Sequence, residues 1–91
     1  MNIVLGEKIR ADQSQISFFR YESQNITSVH FKNGGYLLIK KPLITFAREF
    51  PPSSFQMFND RYLINLNHVS NYKKLEKCIT LSNTFKINLK S

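Results

Sequence analysis

The residues best suited to bind a polyanion form an alternating stripe near the end of the sequence. Lys86, Asn88 and Lys90 alternate there with three apolar residues. Because successive side chains of a strand point to opposite faces, this alternation predicts a polar face opposite an apolar one. The polar face holds no acidic residue, which favours contact with nucleic acid over an ordinary solvated surface.

Signatures of catalysis and metal binding are missing from the sequence. Its six acidic residues are spread out singly, and it has no glycine-rich phosphate loop or nucleophile motif. His30, His68 and Cys78 match none of the recognised zinc spacings. We therefore expect no enzymatic activity, no metal site and no cofactor. We interpret His30 as a packed strand-face side chain and His68 as a polar side chain satisfied at a strand edge.

Length and composition predict a single folded domain over residues 1–91. The chain is 42% hydrophobic, an apolar content too high for a disordered protein. No apolar run is long enough to span a bilayer, and the first residues do not form a secretion signal, so we expect a cytoplasmic protein without membrane contact. Thirteen Lys and Arg against six Asp and Glu give a net charge of +7, which points to a polyanionic partner.

One stretch, 43–50, has the apolar spacing of a short helix. The residues at i, i+3, i+4 and i+7 of its apolar face are Leu43, Phe46, Ala47 and Phe50. Pro42 suits the first helical position, and Pro51 and Pro52 end the helix at Phe50. So short a helix is marginal in water alone, and its apolar face must dock on other elements.

The remaining sequence is β-type, with alternating patterns between turn signals. The predicted strands span 16–21, 26–31, 36–40, 62–65, 67–71, 78–81 and 84–89, and a looser hairpin spans 1–5 and 8–11. Within 16–21, Ile16 and Phe18 share one face and Phe19 and Tyr21 share the other, so both faces meet apolar material. This pattern predicts a central strand. The lack of β-α-β alternation argues against a parallel sheet.

Three blocks of the sequence together resemble a known family. The first is an apolar strand that closes on Glu-Ser, at 16–23. The second contains the short helix, the two prolines, the polar triplet 59–61 and the segment 62–69, which reads Tyr-Leu-Ile-Asn-Leu-Asn-His-Val. The third is the stripe at 85–90. In this order and spacing, the blocks resemble the LytTR family of bacterial DNA-binding domains over nearly the whole chain.

The resemblance implies a fold and a mode of binding. The fold is mostly β, a LytTR-like elongated assembly of small antiparallel sheets with one short helix. Loops of this assembly, and not a recognition helix, enter successive major grooves, where all four base pairs can be distinguished. The sheets must hold the loops rigidly for such reading.

Two turns match DNA-facing positions of the family. The first holds Gln24 and Asn25; Asn25 could read adenine through its amide, or it could be an ordinary turn residue. In the second, Asn59 fits the family pattern and Asp60 departs from it by placing negative charge near phosphate. Asp60 would either face the groove, where it prefers a cytosine amine or disfavours binding, or cap backbone N–H groups. Arg61 either pairs with Asp60 or contacts phosphate or guanine itself.

The third matching position lies in the stripe. Lys90 occupies a position that the family usually gives to a basic, base-contacting residue. Lys86 and Asn88 lie on the same predicted face of the strand, and the resemblance therefore makes all three candidates for DNA contact.

From these observations we expect a stand-alone LytTR-type transcription regulator that binds double-stranded promoter DNA sequence-specifically. Copies would lie side by side on repeated half-sites, as a homodimer on DNA. The 91 residues hold no receiver or membrane segment, so control would come from a regulatory protein partner, from protein level, or not at all. The alternative is a free-standing interaction module that pairs with and inhibits a full-length regulator or a histidine kinase. Asp60 and the short first turn favour the alternative, whereas the net charge and the stripe favour DNA.

Overall fold

The computed structural model describes residues 2–6 and 8–89. This part of the chain contains one α-helix, two 3₁₀ turns and ten strands, which confirms the mostly β class. The strands are β1 (Asn2–Gly6), β2 (Ile9–Asp12), β3 (Ile16–Ser23), β4 (Ile26–Phe31), β5 (Tyr36–Ile39), β6 (Phe55–Phe58), β7 (Tyr62–Asn65), β8 (Val69–Lys73), β9 (Cys78–Leu81) and β10 (Lys86–Asn88). The helix α1 spans Leu43–Glu49, and the 3₁₀ turns span Gln13–Gln15 and Leu66–His68.

The strands form three antiparallel sheets. The largest has the order β5-β4-β3-β7-β6, β1 pairs with β2 in a hairpin, and β8, β9 and β10 form a three-stranded sheet with β9 in the middle. The predicted central position of 16–21 is therefore confirmed. The molecule measures 39 × 25 × 23 Å, which fits the elongated shape expected of small joined sheets.

Two hydrophobic cores lie on opposite sides of the five-stranded sheet. The first core joins this sheet to α1 and the β1–β2 hairpin, and its largest side chains include Phe19, Phe46 and Leu5. The second core joins the sheet to the three-stranded sheet through Phe18, Ile64 and four apolar residues of or next to β9 and β10. Adjacent residues of β3 thus point into different cores, as the alternation of a strand requires.

A β-bulge in β3 corrects the predicted face of Ile16. The pairing of β3 with β4 shifts between Ile16 and Phe18. Because a bulge adds a residue and reverses the alternation, Ile16 packs in the first core with Phe19 and not on the side of Phe18. The residue between them, Ser17, is buried and its hydroxyl lies 3.1 Å from His68 Nδ1.

His68 lies in a 3₁₀ turn and not at the edge of an extended strand, so the prediction of a strand from Asn67 was wrong. The Asn65 side chain accepts the Asn67 N–H at 3.0 Å, which starts the turn before β8 begins at Val69. His68 is buried, and its Nε2–H donates to the Ser14 carbonyl at 2.7 Å. Its polar atoms are therefore satisfied inside the protein.

The helix docks on the first core through the predicted face. Leu43 and Phe46 are buried, and the Phe46 ring lies 4.6 Å from the Phe19 ring between centroids. Pro42 is extended and precedes the helix, and Phe50 is extended and follows it, so the helix is shorter than predicted by one residue. Pro42 still helps to start the helix, since its carbonyl accepts the Thr45 N–H at 3.1 Å.

Strand β6 is the element that sequence reasoning missed. Phe55 is buried, Gln56 is exposed and Met57 is partly buried. This alternation covers only four residues and begins two serines after the proline pair, so no strand is predicted there. In the structure β6 pairs with β7 alone and closes one edge of the five-stranded sheet.

His30 is confirmed as a packed strand-face residue. Its ring stacks on Phe18 at 4.2 Å and on Tyr36 at 5.4 Å between centroids. The buried Ser28 hydroxyl lies 2.6 Å from the Glu22 carboxylate and 2.8 Å from His30 Nε2. Because a carboxylate can only accept, the hydroxyl donates to Glu22 and accepts from the His30 N–H. Burial, followed by the charge of Arg20, lowers the pKa of His30 to about 4.

The His30 environment makes stability depend on pH. In the unfolded chain His30 takes up a proton near its ordinary pKa of 6.5, whereas in the folded protein it stays neutral down to about pH 4. The unfolded state binds more protons between these values, so the free energy of unfolding should fall as pH drops from about 6.5 to 4. We expect urea unfolding of His30→Phe, which keeps the stacked ring, to show a smaller fall across this interval. Parallel pH profiles of the two proteins would contradict this assignment.

Candidate nucleic-acid interface

Two turns of the five-stranded sheet lie at the same end of the molecule. The β3–β4 turn is Gln24-Asn25, and the β6–β7 turn follows Phe58. Strand β7 runs antiparallel to β3 with Tyr62 opposite Arg20, so the start of β7 lies beside the end of β3. The Tyr21 N–H donates to the Arg61 carbonyl at 2.8 Å and fixes this relation.

The β6–β7 turn is a three-residue loop, Asn59-Asp60-Arg61, between the paired residues Phe58 and Tyr62. Asn59 and Asp60 have φ angles of 53° and 56°, and the Arg61 N–H donates to the Phe58 carbonyl at 3.1 Å. Two successive positive φ angles with this hydrogen bond define a type I′ turn, in which Asn and Asp are favoured. The turn therefore owes its shape to the two residues that it presents.

The side chain of Asn59 connects this turn to the last strand. Its amide nitrogen donates a hydrogen bond to the Leu89 carbonyl, thirty residues away along the chain. An amide group has two N–H donors and an acceptor oxygen. Asn59 is therefore first a positioning residue, and its oxygen and second N–H are what it can offer to a ligand.

A polar cleft continues from the turn to the three-stranded sheet. Its lining includes Asn59, Asp60, Arg61, Lys77, Asn88 and Leu89. Three of the site residues predicted from the sequence, Asn59, Arg61 and Asn88, are thus brought together. On its other side Asp60 also lines a second cleft with Gln24, Tyr21 and the start of α1. We call the row of Gln24, Asn25, Asn59, Asp60, Arg61, Lys77 and Asn88 the candidate interface.

Lys77 is the member of this interface that sequence reasoning missed. The segment 72–77 has no clear apolar period, so no strand is predicted there. In the structure it holds the end of β8 and a turn in which the Lys77 N–H donates to the Lys74 carbonyl at 3.2 Å. The Lys77 carbonyl accepts the Leu89 N–H at 2.7 Å, which brings Lys77 beside the end of β10. The excess of lysine in this turn was the signal available.

The remaining predicted residues occupy separate places. Asn25 is exposed in the β3–β4 turn. Lys86 is exposed on β10, two residues before Asn88 and on the same face, but it does not line the polar cleft. Lys90 lies outside the described residues. The apolar face of the stripe is buried at Ile87 and Leu89, whereas half of Phe85 is exposed while its ring lies 5.5 Å from Phe18.

Asp60 is electrostatically distinct from four other carboxylates of the described chain. Glu22 contacts Arg20 at 2.7 Å, Glu49 contacts Lys41 at 3.2 Å and Glu76 contacts Lys73 at 3.9 Å. Burial opposes the ionisation of Glu22, but hydrogen bonds from Arg20 and Ser28 outweigh it and lower its pKa. The Asp12 pKa is lowered by the Ser14 N–H.

The Asp60 carboxylate, by contrast, accepts no hydrogen bond from the residues that the structure describes, so it does not cap the turn. It is exposed, and it forms no ion pair with Arg61. The Arg61 guanidinium instead lies over the Tyr21 ring, 5.7 Å from its centroid. A negative charge and a positive charge are thus presented separately at the same turn.

The described residues contain no cluster of three or more His, Cys, Asp or Glu that could hold a metal ion. Their one α-helix has seven residues, and no described helix has the length and apolar character needed to cross a membrane. The polar cleft brings the basic side chains of Arg61 and Lys77 together with the amides of Asn59 and Asn88. A family model of the LytTr DNA-binding domain matches residues 7–90 of the chain.

The chain belongs to the LytTR family. This membership makes it a DNA-binding domain of the kind that regulates transcription. Its fold agrees with a solved LytTr DNA-binding domain from a Bacillus cereus protein described as a methyl-accepting/DNA response regulator. The two share a TM-score of 0.77 and 17% sequence identity, and the match covers 97% of this chain and 84% of that one. No curated protein matches the chain.

The LytTR turn at Asn59 can be tested through stability. Asn59→Ala removes the hydrogen bond to Leu89, worth about 1 kcal/mol, and places a less tolerant residue at positive φ, which costs roughly another 1 kcal/mol. Asn59→Gly removes only the hydrogen bond and keeps the backbone relaxed. We therefore expect the alanine variant to lose about 2 kcal/mol in denaturant unfolding and the glycine variant to lose less.

Asn25→Ala is the matched control, because Asn25 is exposed and has no positive φ angle. We expect it to change the free energy of unfolding by less than about 0.5 kcal/mol. Equal losses for Asn59→Ala and Asn25→Ala would show that the side-chain contact with Leu89 does not stabilise the turn.

Proposed function

We propose that this LytTR domain binds double-stranded promoter DNA sequence-specifically through the candidate interface. The observation that carries the proposal is the polar cleft, in which Asn59, Arg61, Lys77 and Asn88 come together from three separate segments. Amide and cationic side chains are the groups that read base edges and bind phosphates. The backbone bonds that link these segments would hold the side chains in fixed positions, as selective reading requires.

The spacing of the strands suggests how the interface meets the duplex. Neighbouring strands lie about 4.8 Å apart, so the β3–β4 and β6–β7 turns are separated by roughly two strands, or about 10 Å. Successive major grooves on one side of DNA are about 34 Å apart. We therefore propose that Asn25 enters one major groove while Asn59 and Asp60 lie over the adjoining backbone. The exposed stripe of Lys86 and Asn88, with Lys90 after it, extends towards the next groove.

Each side chain of the interface suits a different task. Asn25 is exposed and its amide matches the donor-acceptor pair of adenine. Arg61 is suited to guanine or to phosphate, and its guanidinium is already oriented by the Tyr21 ring. Lys77, Lys86 and Lys90 would contribute charge to phosphate contacts. Lys90 is also our candidate for a base contact, because it matches a basic position of the family pattern. Asn59 would act mainly by holding the turn.

We further propose that the domain binds as a stand-alone unit in the bacterial cytoplasm, with copies side by side on repeated half-sites. A regulatory protein partner would control it. Selection of bound duplexes from a random pool, with scrambled competitor at moderate salt, tests this proposal as a whole. Enrichment of a repeated motif is the expected result.

The second candidate function is an interaction module that pairs with and inhibits a full-length regulator or a histidine kinase. The negative charge of Asp60 at the interface, which has no ion-pair partner among the described residues, favours it. Failure of the random pool to enrich any motif would favour this candidate over DNA reading.

Duplex affinity should depend on salt. If about three or four phosphates are neutralised, the plot of log affinity against log salt should have a slope of roughly −3 to −4. Lys77→Ala should reduce the size of this slope by about one, because one phosphate contact is lost. Lys32→Ala is the matched control, since Lys32 is exposed in the turn at the opposite end of the five-stranded sheet. Equal slopes for both variants would exclude Lys77 from the interface.

Asp60→Asn should strengthen DNA binding without changing stability. Asparagine tolerates the same positive φ, and the carboxylate accepts no bond from a described residue that the change would remove. Removing a repulsion of about 1 kcal/mol, as between charges 4 Å apart in water, would raise affinity about five-fold. Glu49→Gln, at the far end of α1, controls for net charge. Unchanged affinity in a titration, or a lowered melting temperature, would place Asp60 outside the contact.

A further inference from the structure

Strand β5 is an edge strand whose outer side is open. Within the part of the chain that the structure describes, it pairs with β4 alone. The Phe31 N–H bonds to the Gly35 carbonyl at the start of this ladder, so the alternation of the ladder directs the N–H and C=O groups of Tyr36 and Leu38 away from β4. Unpaired groups of this kind can pair with another extended chain.

An apolar groove runs along this open edge. It lies between β5 and the β1–β2 hairpin, and its lining includes Val4, Ile9, Leu38, Ile39, Lys40 and Lys41. We call it the edge groove. Its volume is about 650 Å³. It shares no lining residue with the polar cleft of the candidate interface.

Large apolar side chains are exposed at this edge to an unusual degree. Leu38 is 62% exposed, Tyr36 is 61% exposed and Val4 is 49% exposed. Edge strands of natural proteins are commonly protected by charge, proline or a bulge, and the four residues of β5 have none of these. A concentrated apolar surface beside unpaired backbone indicates a binding site for another chain.

The charge of the groove indicates which kind of chain it binds. Of the described residues, two lysines and no acidic residue line it. Lys41 contacts Glu49 at 3.2 Å, whereas Lys40 forms no ion pair with a described residue. A second copy of the chain would bring the same lysines and its own net charge of +7 to the edge. An acidic chain would instead be attracted by the same positive charge.

We propose that the edge groove binds an extended segment of a partner protein with alternating apolar and acidic residues, as an added strand beside β5. The partner backbone would pair with Tyr36 and Leu38, its apolar side chains would cover Leu38 and Val4, and an acidic side chain would meet Lys40. Strand addition of this type takes affinity from backbone hydrogen bonds and specificity from alternate side chains. With β5 about 13 Å long, four to six partner residues fill the edge.

The test uses the purified chain and a seven-residue peptide of alternating Glu and Val, acetylated and amidated at its ends. Two control peptides carry Lys in place of Glu, or N-methyl groups on alternate residues that remove the pairing N–H groups. We expect the Glu-Val peptide to bind in fluorescence anisotropy and to shift the amide signals of β5. Both control peptides should bind at least ten-fold more weakly.

Two variants and one control locate the binding. Lys40→Glu and Leu38→Lys should each lower the affinity for the Glu-Val peptide at least ten-fold. Lys32→Glu, in the β4–β5 turn, should change this affinity little. Both altered side chains are exposed, and melting curves verify that the variants fold. Equal binding of the Lys and Glu peptides, or binding that survives Leu38→Lys, would overturn the proposal. A dimer in sedimentation that depends on Leu38 would also overturn it, in favour of a second copy. None of these experiments uses DNA, so their results do not depend on the proposed DNA binding.

Discussion

The fold depends on the burial of β3 from both sides. Phe18 and Phe19, adjacent in sequence, anchor two separate cores. A two-stranded hairpin and a short three-stranded sheet are marginal by themselves and need a partner face. In this protein both pack against the same five-stranded sheet. Because β3 contributes side chains to both cores, the two cores stabilise each other through this strand. The same strand leads directly into the turn that carries Asn25, which connects the packing of the interior to the position of the interface.

The interface lies where the two larger sheets meet. The bond from Tyr21 to Arg61 joins the turns of the five-stranded sheet, and the bond from Asn59 to Leu89 joins that sheet to the end of β10. The first bond continues the β3–β7 pairing by one residue pair, and the second is made by a side chain outside any ladder. Polar groups from distant segments can thus share one surface without a helix to organise them, which is how a mostly β domain can present several contact points to a duplex.

Local patterns predicted the elements well. The bounds of β4, β7 and β9 agree with the sequence, because each strand alternates clearly and is flanked by turn residues. The prediction that Ile16 shares a face with Phe18 was wrong, because a bulge reverses the alternation of a strand without a signal in residue type. The 3₁₀ turn at His68 was missed although a local bond, from the Asn67 N–H to the Asn65 side chain, starts it. The role of Lys77 was missed because its bond with Leu89 joins residues that only the fold brings near. The family pattern supplied Asn59, whose tie to Leu89 no spacing could reveal.

The left-handed pair at Asn59 and Asp60 restricts how this protein could evolve a new target. Only glycine and short polar residues occupy two successive positive φ angles at low cost, so arginine, glutamine and the β-branched residues are disfavoured at the tip of the turn. Divergence in recognition must therefore arise mainly at positions with ordinary backbone angles, such as Asn25 and Arg61. The tip would change slowly among relatives while its flanks vary.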